Sequence, residues 1–280
     1  MIEQVDGRLV GSWERPRNIA ADRKGSIHDD EPARELGFRG ALVSSRVHLN
    51  VVVPLALEAF GNRWFERGTV SLDFRVGTLD GEPVRAVVDA PPPDASHAHV
   101  DARLEKQDGT VIATGTLGVG DPPEPTFLGA KDLSRYDGGG YELVSAVTPG
   151  DVFEPREIVL GERAAERMIG GVGHPWYRDS SPWGPAVASP SLMVNALGAA
   201  CVGYLRDHPV RGVAIDGANE LRNVNGPVLL DRPYVASGEV IARGRSPRTE
   251  YFWYEGRLDD PSGVRIAEML LQWRTASGSR

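Results

Sequence analysis

A histidine followed directly by two carboxylates, His28, Asp29 and Asp30, sits in the stretch Gly25-Ser-Ile-His-Asp-Asp-Glu-Pro-Ala-Arg-Glu-Leu-Gly-Phe-Arg-Gly40. Imidazole titrates near neutral pH and serves as general acid or base. An adjacent carboxylate can orient that ring or act as the second proton carrier. Asp22, slightly upstream, is a third carboxylate within reach. Each has a plainer reading as well: His28 as a ring bonded to a backbone carbonyl, and Asp29 and Asp30 as carboxylates at the positive end of a helix. Residues 40–45 add a different capability. Backbone N–H groups where a buried helix starts can polarise a carbonyl and hold an enolate, and Ser44 and Ser45 add hydroxyls beside Gly40. Capping of the same helix is the plainer role.

A second constellation lies in Gly171-Val-Gly-His-Pro-Trp-Tyr177. Tyr177 stays protonated at neutral pH and can donate a hydrogen bond, or it can be a pocket wall. With His174 and Trp176 it is expected to form a second polar site facing the first. Asp216 and Asn219 precede a strand pattern and read as pocket residues or as solvated turn positions. His48 lies inside an apolar run and either points into a cavity or is a satisfied core histidine.

These residues need elements to hold them. Residues 41–60 are apolar almost all round, the pattern of a helix covered by its neighbours, and Pro54 should kink or split it. Strand patterns follow at 68–76, 84–90, 97–104 and 111–117, with Asp108-Gly109 as a hairpin turn between the last two. Residues 1–24 leave helix and strand both open. Residues 121–150 are punctuated by Pro and Gly and read as a connector laid on the surface. Then the order repeats. Ser189-Pro190 starts a second all-round apolar helix, and Gly217-Ala-Asn-Glu-Leu-Arg-Asn-Val matches Gly68-Thr-Val-Ser-Leu-Asp-Phe-Arg. Strands are expected at 234–242, 250–258 and 265–274. A repeat of this length is a fold-level signal. The unit is one buried helix followed by an antiparallel sheet, class α+β, with repeats over 1–125 and 161–280 and a connector over 126–160.

Several chemistries are excluded. There is no Gly-x-Ser-x-Gly elbow, no P-loop and no dinucleotide fingerprint. His97 and His99 lack a convincing carboxylate or cysteine partner, so no metal site is expected. The net charge of −8 argues against nucleic-acid binding. No apolar run reaches membrane-span length and the N-terminus lacks a basic-then-apolar leader, so a cytoplasmic location is expected. The single cysteine, Cys201, reads as a small core residue. Tyr251, Phe252, Trp253 and Tyr254 read as core and sheet face.

The pattern Ile27-His28, Asp30, Ala33, Gly37-Phe38 resembles the signature of the MaoC-like acyl dehydratases and (R)-specific enoyl-thioester hydratases, with a one-residue contraction between His28 and Gly37. Gly171, His174, Pro175, Trp176 and Tyr177 resemble it again in the second half. The resemblance implies a double hotdog: two repeats, each a long helix wrapped by a curved sheet. It implies hydration or dehydration of an acyl thioester on CoA or an acyl carrier protein, without cofactor, in a protein that pairs as a homodimer. His28 would be the main proton carrier, assisted by Asp22, Asp29 or Asp30, with Tyr177 completing the site. Gly40, Ser44, Ser45, His48, His174, Trp176, Asp216 and Asn219 would bind substrate. The sequence departs from the signature where the family's aspartate belongs: Arg23 stands there in the first half and Val172 in the second. The altered pair also admits a remodelled enzyme for cyclisation or isomerisation, or a silent acyl-binding subunit.

Overall fold

A computed structural model describes residues 2–93, 95–133 and 139–277. The N-terminal hairpin β1 (Glu3–Val5) and β2 (Arg8–Val10) settles the open choice in favour of strand, around a turn at Asp6 and Gly7. Residues 11–29, between β2 and the next helix, form an approach loop, and helix α1 (Asp30–Glu35) follows it. The first apolar run becomes α2 (Ser45–His48), a 3-10 turn (Leu49–Val52) and α3 (Val53–Phe60). Pro54 lies in the first turn of α3, where its missing N–H costs nothing, so the run is split as the proline demands. Helix α4 (Arg63–Arg67) leads into β3 (Gly68–Phe74), β4 (Val84–Asp89), β5 (Ala98–Lys106) and β6 (Val111–Val119).

The second unit runs β7 (Val152–Val159), α5 (Glu162–Ile169), a 3-10 turn (Pro175–Tyr177), α6 (Pro190–Leu197), α7 (Ala199–Asp207), β8 (Val213–Asn223), β9 (Pro233–Arg245), β10 (Glu250–Asp259) and β11 (Arg265–Ala276). The connector expected over 126–160 is therefore too long. Strand β7 pairs with β9 and belongs to the second sheet. Its outward-facing charges and Pro155 hide the alternation, as is usual in an edge strand. The second apolar run also breaks, at Gly198 between α6 and α7. Asp216 and Asn219 lie within β8 rather than before it, because β8 begins earlier than the pattern suggested.

All the strands join in one antiparallel sheet, in the order β1-β2-β4-β5-β6-β3-β8-β11-β10-β9-β7. The two units meet at β3 and β8. Under the sequence equivalence of Gly68 with Gly217, Ser71 corresponds to Glu220, and these two face each other across the β3–β8 pair. A local two-fold passes between them. The connector crosses the outer sheet face at this axis. Thr126 donates to Glu220 at 2.6 Å, the Leu128 N–H donates to Ser71 Oγ at 3.0 Å, and Leu128 is buried on Ala218 and Trp253.

The helices fill the inner face in one continuous core. Asn50, from the first unit, reaches the second. Its amide donates to the carbonyls of Met168 and Ile169 at 3.2 Å each and accepts from the Ser191 N–H at 3.1 Å, so the buried ends of α5 and α6 find their partner across the interface. Gly256 lets α6 rest on β10, since a Cβ there would lie 2.6 Å from the Leu197 carbonyl oxygen. Among the described residues no helix is long and apolar enough to cross a membrane.

Candidate active site

A chamber of about 290 Å³ opens where the approach loop and α2 of the first unit face β8 and β11 of the second. Its walls are largely apolar, from Ile27, Phe38, Leu42, Phe74, Ile112, Ile215 and Trp273. His28, Ser44, Ser45, Arg46, His48, Thr78 and Asp216 bring polarity into it.

The approach loop fixes His28 from both sides. The Asn18 side chain donates to the His28 carbonyl at 3.0 Å, and the His28 N–H donates to Ser26 Oγ at 3.2 Å. The ring Nδ1 lies 2.8 Å from the Leu42 carbonyl oxygen. A carbonyl only accepts, so Nδ1 carries the proton and Nε2 is the basic nitrogen of the neutral ring. Burial lowers the His28 pKa below its ordinary value. The Asp216 charge opposes that shift, while Arg46 and Arg23 reinforce it. The ring is thus held in the form that accepts a proton.

Asp216 is the one carboxylate among the described lining residues. It accepts from Arg46 Nη2 at 3.2 Å and from Ser45 Oγ at 3.3 Å. The side chains of Arg46 and Asp216 are only 19% and 13% exposed, so a nearly buried ion pair joins the two units at the chamber wall. Asn219 does not line the chamber but donates to Ser45 Oγ at 3.2 Å, which holds that hydroxyl in place. Ser44 is the N-cap of α2 by position, yet its side chain makes no cap bond.

The carboxylates of the approach loop are engaged elsewhere. Asp22 pairs with Arg167 at 2.9 Å on the surface, its side chain 69% exposed. Asp29 caps α1. It accepts from the backbone N–H of Asp30 and of Gly25, and bonds to the latter and to Lys24 hold its pKa down. Asp30 accepts from the Ala41 N–H at 2.8 Å, which likewise lowers its pKa, and pairs with Arg34. Gly40 lies against this bond, where a Cβ would come 3.0 Å from Asp30 Oδ1. None of Asp22, Asp29, Asp30 and Gly40 lines the chamber. Asp29 and Asp30 bond to N–H groups of the loop and Asp22 to Arg167, and these partners hold all three outside the chamber.

The second polar site facing the first does not form. His174 Nδ1 accepts from the Trp176 N–H at 3.3 Å and caps the short turn. Burial lowers the His174 pKa. Trp176 packs between Phe65, tilted at 60°, and Trp183, edge-on at 86°, with its ring centroid 5.8 Å from each. Phe65 comes from α4 of the first unit, so these aromatic side chains fill a seam between the two units. Tyr177 is 2% exposed, its hydroxyl has no partner among the described residues, and burial pushes its pKa far up. It borders a separate depression with Glu162, Glu166 and Arg178.

His48 lies on the chamber wall with both nitrogens bonded, Nδ1 3.2 Å from the Ser44 carbonyl oxygen and Nε2 2.8 Å from Thr78 Oγ1. Burial takes its pKa to about 4. Among the described residues no cluster of His, Cys, Asp and Glu is arranged to hold a metal ion. His97 accepts from the Asp121 N–H, and His99 bonds the Glu124 carbonyl.

Sequence reasoning missed Arg46, Thr78 and Asn18. Arg46 had a readable signal, a cation in the first turn of an otherwise apolar helix. Thr78 and Asn18 had none, since each acts through a partner distant in sequence.

No family model matches the sequence, and no curated protein is similar to it. Similarity emerges in three dimensions. A MaoC domain protein of Chloroflexus aurantiacus superposes with a TM-score of 0.62, over 99% of this chain and 97% of its own, at 11% identity. A conserved Mycobacterium tuberculosis protein with a double hotdog fold gives 0.57 over 96% of each chain, also at 11%. The chain has the double-hotdog fold. A MaoC-like dehydratase gives 0.51 over 98% of each chain at 13% identity. Proteins assigned provisionally as thioesterases are also among the matches, so the fold alone does not choose a reaction.

Proposed function

We propose that the His28 chamber is the active site of a hydro-lyase that adds water to, or removes it from, an acyl thioester of CoA or an acyl carrier protein. One observation carries this reading. A neutral histidine with a basic Nε2 lines an apolar chamber on one unit, and the carboxylate that stabilises its protonated form comes from the other. In the hydration direction, Nε2 takes a proton from water as the water oxygen bonds to Cβ of a 2-enoyl thioester. The electron pair of the Cα=Cβ bond moves onto the thioester carbonyl oxygen. The Ser45 and Arg46 N–H groups at the start of α2, which the Ser44 side chain does not cap, take the role of stabilising that enolate, while the Val47 N–H is already bonded to the Ser44 carbonyl. The imidazolium, favoured by Asp216, then returns the proton to Cα. Dehydration is the reverse. Asp216 is held by Arg46 and acts on the charge of His28 rather than as a second proton carrier.

The test is the hydration rate of crotonyl-CoA and longer 2-enoyl-CoA thioesters. His28→Ala should lower kcat about 10²- to 10⁴-fold, the usual contribution of a positioned general acid–base. The acid limb of kcat/KM should lie below pH 6.5, because the His28 pKa is lowered and the ring loses its basic form only at more acidic pH. Full turnover in His28→Ala would sink the reading.

A second reading is favoured by the same ion pair. With Asp216 engaged, His28 is a single proton carrier, which suffices for isomerisation or cyclisation. Incorporation of solvent deuterium at Cα without net addition of water would favour it. Release of free thiol would instead mark thioester hydrolysis, and binding without turnover an acyl-binding subunit.

A further inference from the structure

The charges around the His28 chamber do not balance. Arg23, Arg46, Arg75 and Arg274 line it, against the single carboxylate of Asp216. Arg46 takes that carboxylate. Arg274 donates to Gln272 at 2.6 Å and lies 4.0 Å from Asp73, which already holds Lys131 at 2.7 Å. Arg23 and Arg75 are exposed and have no side-chain partner among the described residues. The cluster runs against a chain whose net charge is −8. A cleft lined by one sign of charge with low-dielectric walls concentrates ligands of the opposite sign. A guanidinium also matches a carboxylate in two parallel hydrogen bonds.

The position of these cations says which part of a ligand they meet. Arg23 is close enough to His28 to lower its pKa through charge, and all four arginines share the chamber with the imidazole. The phosphates of a CoA or carrier-protein thioester are separated from the reacting carbons by the whole pantetheine arm. Groups in one 290 Å³ chamber with His28 meet the acyl group instead.

We propose that the chamber takes an acyl thioester whose acyl chain itself carries a carboxylate, read by Arg23 and Arg75. This rests on the chamber being an acyl-thioester site. Methyl-ended fatty acyl groups then lack the anion that the wall is built to meet.

The experiment is titration calorimetry with two saturated, unreactive CoA thioesters of equal chain length, one ending in a carboxylate and one in a methyl group. Both carry the same phosphates, so the ratio of their dissociation constants isolates the acyl anion. The wild-type protein should bind the carboxylate-ended twin at least tenfold more tightly. Arg23→Met and Arg75→Met should each narrow that ratio about tenfold, and 1 M salt should narrow it in the wild type. Neither arginine supports another side chain, so both variants should keep the wild-type Tm. Equal affinity of the wild type for the two twins would overturn the proposal. So would variants that weaken both twins alike, since the arginines would then read the carrier's phosphates. No binding of either twin would sink the acyl-site reading itself.

Discussion

His28 and His48 share a chamber and differ in what their second nitrogen does. His28 spends Nδ1 on the Leu42 carbonyl and keeps Nε2 basic. His48 spends both nitrogens, on Ser44 and Thr78. The first can move a proton, and the second is a structural strut. Acid should reveal His48 through stability. Unfolded, it takes up a proton below about pH 6.5, whereas folded it refuses one until about pH 4. Between those values the unfolded state binds more protons, so stability falls as pH falls. The loss should reach roughly 3 kcal/mol at pH 4, from a shift worth about 1.4 kcal/mol per unit. Urea unfolding followed from pH 7 to pH 4 should show this decline, and His48→Gln should flatten it. An unchanged pH slope in the variant would count against the assignment.

At the scale of elements, the two apolar helices start differently. Ser189 Oγ accepts from the Leu192 N–H at 3.3 Å and caps α6, while Ser44 makes no such bond at α2. Ser189→Ala should therefore cost about 1 kcal/mol, and Ser44→Ala markedly less, by chemical denaturation. Equal losses would mean that the two helix starts are equivalent after all. The Ser189-Pro190 signal was legible in the sequence because a cap bond closes within three residues. The open start of α2 was not, because a serine at the N-cap position reads as a cap whether or not its hydroxyl turns to the helix. Strand β7 was missed for a similar reason. An edge strand answers to its one neighbour, β9, and its own pattern carries little of that pairing.

At the scale of the whole molecule, the chamber belongs to neither unit alone. Arg46 and Asp216 meet across the interface and are largely removed from water. Removing one partner of such a pair leaves the other desolvated and unpaired, whereas removing both lifts the penalty. Asp216→Asn should destabilise the protein by about 3 kcal/mol, and adding Arg46→Met should recover a large part of that loss. The double-mutant cycle checks this. Additive losses would show that the two side chains do not depend on each other.

The sequence by itself determined the repeat, the class of each unit and their kinship in fold, because periodicity, proline positions and turn residues act over a few neighbours. It also singled out His28, whose motif is local and which the structure places on the chamber wall. Only the tertiary structure decided which carboxylate shares a chamber with that histidine. Asp29 and Asp30 are adjacent in sequence but are drawn to the nearest free N–H groups, at Gly25, Asp30 and Ala41. Asp216 lies far along the chain and arrives at the wall because β3 and β8 pair about a local two-fold. Proximity along the chain satisfies capping. Opposition across an interface builds a chamber, and no local pattern encodes it.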